Sequence, residues 1–176
     1  MRYTPRLLLR PPVVEDFDAY FEIHGDPQTN KFNPAGVPDK DKALAALAAY
    51  VADWREPGFG YWAVSTREAS SLIVGFGGVR RKEFADGPAL NLYFRFRPSA
   101  WGQGFATELA AAALEFAFRD LGEPRVLAST RANNLPSQKT LTRAGFGQIG
   151  QIDDVKGGTP SLLFQIRAED FASRRA

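Results

Sequence analysis

The sequence holds no cysteine and only one histidine, His24. The first absence removes disulfides, thiolate metal sites and a cysteine nucleophile. The second argues against a multi-histidine metal centre or a Ser-His-Asp site built on several histidines, so no metal is expected. No stretch approaches the roughly 20 apolar residues of a membrane span, and residues 1–12 lack the apolar core of a signal peptide. An intracellular, cytoplasmic protein that keeps away from membranes is expected. Excess charge is scarce as well. With 22 Lys and Arg against 20 Asp and Glu the formal net charge is +2, short of the concentrated basic patch that marks a nucleic-acid binder.

What is present is an ordinary globular mixture. The chain's 176 residues, 44% of them hydrophobic, are enough for one domain, 1–176, with a full core. Leu7, Leu8 and Leu9 between two arginines read as a strand over 6–10, stopped by Pro11-Pro12. Apolar spacing predicts helices over 13–24 and 40–54, the second capped by Asp39; together they would make a lid. Two strands follow over 60–65 and 72–79. Gly75, Gly77 and Gly78 in the second point to a bulge or a close strand crossing. A turn at 85–88 leads to a strand over 90–96, and an Ala-rich amphipathic helix over 105–121 comes next. Then come a strand over 125–130, a helix over 135–144 with Asn134 as cap and Gly145 as terminator, and paired strands over 146–152 and 161–166. These last are joined by a turn containing Lys156 and Gly157. The charged tail from 169 is expected to fray. This is a mixed α/β domain with a mostly antiparallel central sheet of six to seven strands flanked by helices.

The chain is organised around Trp101-Gly102-Gln103-Gly104-Phe105-Ala106-Thr107-Glu108, where a strand hands over to the long helix. A helix start exposes N–H groups without intrahelical partners, and its dipole favours negative charge. Glycines let a ligand approach that backbone closely. The stretch is therefore a candidate phosphate cradle. It is not a dinucleotide fingerprint, because Thr107 stands where the third small residue belongs and no acidic residue closes a second strand. Nor does it end in Gly-Lys-Ser/Thr, which excludes a P-loop.

The motif has company in Asn134-Leu135-Pro136-Ser137, Leu141 and Ala144-Gly145-Phe146. The combination resembles the GNAT superfamily of acyl-CoA-dependent N-acyltransferases over nearly the whole chain, from Arg6 to about Arg167. The opening Arg6-Leu7-Leu8-Leu9-Arg10-Pro11 and the Trp-Gly-x-Gly-x-Ala-Thr-Glu form are most similar to the branch of ribosomal-protein-alanine N-acetyltransferases. The resemblance implies a GNAT-like fold and acetyl-CoA as cosubstrate. It implies that Trp101, Gly102, Gln103, Gly104, Phe105, Ala106 and Thr107 form the loop that binds the CoA pyrophosphate. It also implies that main-chain groups at Phe94 and Phe96 bond the pantetheine amides, and that Asn134 bonds the same arm. Ser137 would lie near the thioester. Homodimers are common in that branch.

The implied reaction is direct attack of a primary amine on the thioester in a ternary complex. It needs a neutral amine, an oxyanion donor and a proton for the departing thiolate. Where many relatives carry a tyrosine as general acid this chain has Leu141, so Ser137 is the candidate acid. Where relatives often carry a glutamate base the chain has Asn91, which takes no proton at neutral pH. Glu83, Asp86 or His24 remain as bases acting through water, although His24 is expected at a surface helix end. Near pH 7, deprotonating a lysine costs roughly 4–5 kcal/mol and an α-amine only about 1–1.5. A protein N-terminal α-amine or another low-pKa small amine is therefore the expected acceptor. Two alternatives are an aminoglycoside acetyltransferase, which would show an acidic cleft, and an acyl-CoA sensor or scaffold without turnover.

Overall fold

The computed structural model describes residues 1–154 and 158–173. The turn residues Lys156 and Gly157 and the last three residues of the tail lie outside the described residues. One eight-stranded sheet in the order β1-β2-β3-β4-β5-β6-β8-β7 carries every helix. Its strands are β1 (Arg2–Tyr3), β2 (Leu7–Arg10), β3 (Tyr61–Thr66), β4 (Ile73–Phe84), β5 (Gly87–Phe96), β6 (Arg125–Thr130), β7 (Gly147–Ile152) and β8 (Ser161–Arg167). The strand beyond the expected seven is the short β1, paired to β2 through Arg2↔Leu9 and Tyr3↔Leu8.

All neighbouring strands run antiparallel except β5 and β6. A parallel pair needs a crossover, and α3 (Phe105–Glu115) supplies it. The sheet is covered on both faces. On one, Leu109, Ala113 and Leu114 of α3 pack on Leu7, Val79, Leu90, Leu92 and Phe96. On the other, α1 (Phe17–His24) and α2 (Lys40–Asp53) set Tyr20, Ile23 and Leu47 against Phe76 and Tyr61. Period-two alternation along β5 serves both cores: Leu90, Leu92 and Phe96 face α3, while Tyr93 belongs to the α1/α2 side. Gly77 is needed where α3 comes closest, since a Cβ there would sit 2.4 Å from the Tyr93 carbonyl oxygen and 2.9 Å from Leu109.

Several boundaries differ from expectation. Residues 13–24 open with a 3-10 turn, Val14–Asp16, because Asp16 accepts from the Val13 N–H at 2.8 Å and pairs with Arg10 at 2.6 Å. Strands β4 and β5 run well into their hairpin, so Arg80, Arg81 and Lys82 lie within β4. The long helix widens into a π-turn over Phe116–Asp120, with Leu121 N–H donating to the Phe116 carbonyl. The tail does not fray at 169: Ala168–Ser173 forms α5, anchored by buried Phe171, whose ring lies 5.2 Å from that of Phe118. Helix α4 (Leu135–Ala144) has Asn134 as N-cap and Gly145 in the left-handed region after it.

Candidate functional site: a splayed strand pair and a glycine loop

The site begins where the parallel pair separates. β5 and β6 are in register only at Leu90↔Val126 and Asn91↔Leu127. Beyond those pairs β5 stays with β4 and β6 stays with β8, up to Phe96 and Thr130. The Arg97 N–H donates to Val74 of β4 at 2.9 Å. Main-chain groups alternate sides along an antiparallel strand, so those of Phe94 and Phe96 face the open side. The Phe96 carbonyl is already taken there by the Trp101 indole N–H at 2.8 Å. What remains is a wedge edged by the Phe94 main chain and the Phe96 N–H, which have no partner among the described residues. Their side chains play no polar part: Phe96 is core and Phe94 packs against it.

At the mouth of the wedge the chain turns through exposed Trp101, Gly102, Gln103 and Gly104 into α3. Gly102 and Gly104 have φ of 74° and 79°, left-handed values that a Cβ would strain. Among the described residues, none of the N–H groups of Gly102, Gln103, Gly104, Phe105, Ala106 and Thr107 finds an acceptor; the first amide of the helix ladder is Glu108, donating to Gly104. Unpartnered donors at the positive end of a helix dipole can take an anion. The Gln103 side chain is turned back on Ser99 O at 3.0 Å, so the loop offers backbone rather than side-chain donors.

A clamp holds this loop. Glu108 accepts from Thr4 Oγ1 at 2.6 Å and from the Arg6 N–H at 2.8 Å, and pairs with the Arg6 guanidinium at 2.7 Å. Arg6 in turn donates to Gln103 O at 2.8 Å and stacks over the Phe105 ring. Burial would raise the Glu108 carboxyl, but the bonds from Thr4 and Arg6 outweigh it and hold the pKa below the usual range. Arg6 and Glu108 each stand in a sequence motif, yet their pairing across 102 positions has no signature in sequence.

On the β6 side, Asn134 Oδ1 caps α4 by accepting from the Ser137 N–H at 3.2 Å. This leaves the Asn134 amide N–H groups and the Ser137 hydroxyl, both half-buried, without protein partners among the described residues. Leu141 is fully buried in the core.

Asn91 sits at the last paired position. Its amide donates to Tyr61 Oη at 3.1 Å and to Leu92 O at 3.2 Å, while its Oδ1 is buried with no donor. Around it on the α1/α2 side gather Tyr20, Tyr50, Tyr61, Tyr93 and His24. Burial raises all four tyrosines, Tyr20 to about 12. His24 departs from expectation. It is 5% exposed, its Nε2 shares a 3.1 Å hydrogen bond with Tyr93 Oη and its Nδ1 one of 3.0 Å with Tyr20 O. Burial, aided by Arg95, lowers its pKa to about 3, so it is uncharged at neutral pH. The helix end expected at the surface is covered because residues 26–38 fold back over it, with Asn30 Nδ2 bonded to His24 O at 2.6 Å. Glu83 and Asp86 belong to the exposed β4–β5 hairpin, and Asp86 is paired with Arg125 at 2.7 Å.

Beside this cluster lies a cleft of about 320 Å³. It is lined by Tyr20 and His24 of α1, Lys42 and Ala43 of α2, the loop between the two helices, and Arg95 of β5. The two helices thus cover one side of the wedge, and Arg95 and Lys42, to which sequence reasoning gave no role, furnish the cleft's charges.

Known proteins share this chain's sequence pattern and its fold. Residues 6–147 match the family model described as an acetyltransferase (GNAT) domain. The protein belongs to the GNAT family of N-acetyltransferases. An uncharacterized N-acetyltransferase of Bacillus subtilis, YnaD, is 26% identical over 147 residues, covering 84% of this chain and 82% of its own length. A GNAT-family acetyltransferase from Bacillus anthracis superposes with a TM-score of 0.79 at 22% identity, over 95% of this chain and 98% of that one. Aminoglycoside acetyltransferase AAC(6')-Ib in complex with coenzyme A does so with a TM-score of 0.79 at 15% identity, over 97% and 99%.

Proposed function

We propose that this protein transfers an acetyl group from acetyl-CoA to a primary amine by direct attack in a ternary complex. The observation that carries the reading is the wedge with its loop. The Phe94 main chain and the Phe96 N–H suit the amides of an extended arm, and the run of N–H groups from Gly102 to Thr107, which have no protein acceptor among the described residues, suits a pyrophosphate at that arm's end. The bound cosubstrate supplies the activated acyl group; this chain's residues hold it and shape the surroundings of the amine.

In this reading the free amide of Asn134 and the hydroxyl of Ser137 face the arm, and Ser137 is the acid that protonates the leaving thiolate. Asn91 does no proton transfer. Its orphaned Oδ1 accepts an N–H from the incoming amine and so orients the lone pair. With His24 uncharged and its tautomer held between Tyr20 O and Tyr93, no strong base stands at the wedge. This favours an amine that is already partly neutral, hence an N-terminal α-amine over a lysine side chain. The similarity to the ribosomal-protein-alanine branch belongs to this proposal, as do a cytoplasmic location and a homodimer. An aminoglycoside acceptor is disfavoured, because the cleft carries Lys42 and Arg95 and no carboxylate among its described lining residues.

The test is thiol release from acetyl-CoA against a panel of peptides with free α-amines, blocked peptides with free lysines, and aminoglycosides. The α-amine peptides are expected to be fastest, with Ser137→Ala lowering kcat more than KM. Faster lysine acetylation would sink the acceptor assignment. Calorimetric binding of acetyl-CoA with no turnover of any amine would favour a sensor.

A further inference from the structure

Arg95 is set up unlike four other arginines on or beside the sheet. Arg10, Arg80, Arg97 and Arg125 each face a carboxylate, respectively Asp16, Asp53, Glu22 and Asp86. Arg95 is half-buried and has no carboxylate partner among the described residues. A neutral group holds it instead. Its Nη1 donates at 3.0 Å to Oδ1 of Asn30, and its guanidinium carbon lies 6.0 Å from the Tyr93 ring centroid. Asn30 is buried and locked by its own amide, which donates to His24 O at 2.6 Å and Asp26 O at 2.9 Å; the same Oδ1 accepts from Asn33 at 2.9 Å. The guanidinium is thus fixed in direction without being neutralised, and one nitrogen edge is left over. It lines the cleft together with exposed Lys42 of α2, which itself pairs with the helix's N-cap Asp39 at 3.2 Å at the surface. A partly buried cation without a counter-charge is costly unless something supplies one, and a planar guanidinium matches an oxyanion in two-pronged geometry.

We infer that the cleft selects amines whose carrier also bears an oxyanion, a carboxylate or a phosphate, and that Arg95 with Lys42 binds that group. This rests on the transferase reading and narrows its acceptor. Arg95 stands on the same face of β5 as Asn91, four residues along, so the strand that orients the amine also holds the anion. A span of about 13 Å between those two positions fits a peptide whose acidic side chain follows its free α-amine by one or two residues.

The experiment compares three peptide amides that differ at one position: Ser-Glu-Gly-Gly, Ser-phosphoSer-Gly-Gly and Ser-Gln-Gly-Gly. The glutamyl or the phosphoseryl peptide is expected to exceed the glutaminyl one in kcat/KM by roughly tenfold or more, chiefly through KM; which of the two does so tells carboxylate from phosphate. Arg95→Gln should collapse that ratio toward unity. Exposed Lys42→Glu, which leaves the core alone, should reduce it. Equal kcat/KM for all three peptides, with turnover intact, overturns the inference and leaves the transferase reading standing. Calorimetry of the same peptides against the wild type and both variants reads the preference without chemistry. Equal affinities there overturn it even where no amine is acetylated, whereas an acid preference lost in Arg95→Gln supports it and places the failure in the transfer reading alone.

Discussion

His24 ends α1 buried, because Asn30 in the loop that follows reaches back to its carbonyl; nothing in the local pattern of α1 encodes that contact. Its burial has a measurable consequence. The folded pKa is lowered from 6.5 to about 3, so below 6.5 the unfolded chain takes up a proton that the folded chain refuses. Stability from this residue is flat above pH 6.5 and falls as pH drops toward 3, with a limiting slope of roughly 1.4 kcal/mol per pH unit. Urea midpoints followed from pH 7 to pH 4 should show this slope in the wild type, and it should shrink in His24→Gln. Equal slopes in the two proteins would contradict the assignment. By contrast Asn134, Gly145 and Gly104 were legible one residue at a time, because caps and left-handed turns are local chemistry.

Among the elements, helices and strands with clear periodicity were found to within a few residues. The β4–β5 hairpin runs longer than expected because Arg80, Arg81 and Lys82 make polar-looking strand positions, while Asp53 and Glu123, the partners of Arg80 and Arg81, lie elsewhere in the chain. Terminal α5 was missed because one buried aromatic, Phe171, anchors it. The glycine loop was legible; the clamp that shapes it was not. Glu108 gathers Thr4, Arg6 and, through Arg6, Gln103 O. Glu108→Gln should retain the shape but lose the charge-assisted bonds, costing about 1–3 kcal/mol of stability and weakening CoA binding. Thermal unfolding together with CoA titration checks both; an unchanged CoA affinity would show that the loop holds its form without the clamp. Protonation acts in the same direction: the depressed Glu108 pKa means its contribution is present above the ordinary carboxylate range and is lost as pH falls through the folded value.

For the whole molecule, one parallel pair in an otherwise antiparallel sheet determines where the wedge opens. The crossover helix α3 forces β5 and β6 side by side, and their pairing ends after Asn91 and Leu127. The wedge so opened has α3 on one side and α1, α2 and the cleft on the other. The order of helices α1 to α4 and the loop's position could be read from the sequence, but the sheet has eight strands where six to seven are expected. Periodicity and spacing do not show that the strands part, or that Arg95 faces the cleft without a counter-charge among the described residues, because both depend on what does not pair. The proposed binding of acetyl-CoA by the loop at 102–107 and the wedge is tested by calorimetric titration of the wild type and Gly104→Val with acetyl-CoA. At φ 79° a β-branched side chain strains the backbone and crowds the N–H run. The predicted result is single-site binding by a folded wild type, weakened roughly tenfold or more in a variant that circular dichroism shows still folded. Equal affinity in the two proteins, or no binding by the wild type, would contradict it.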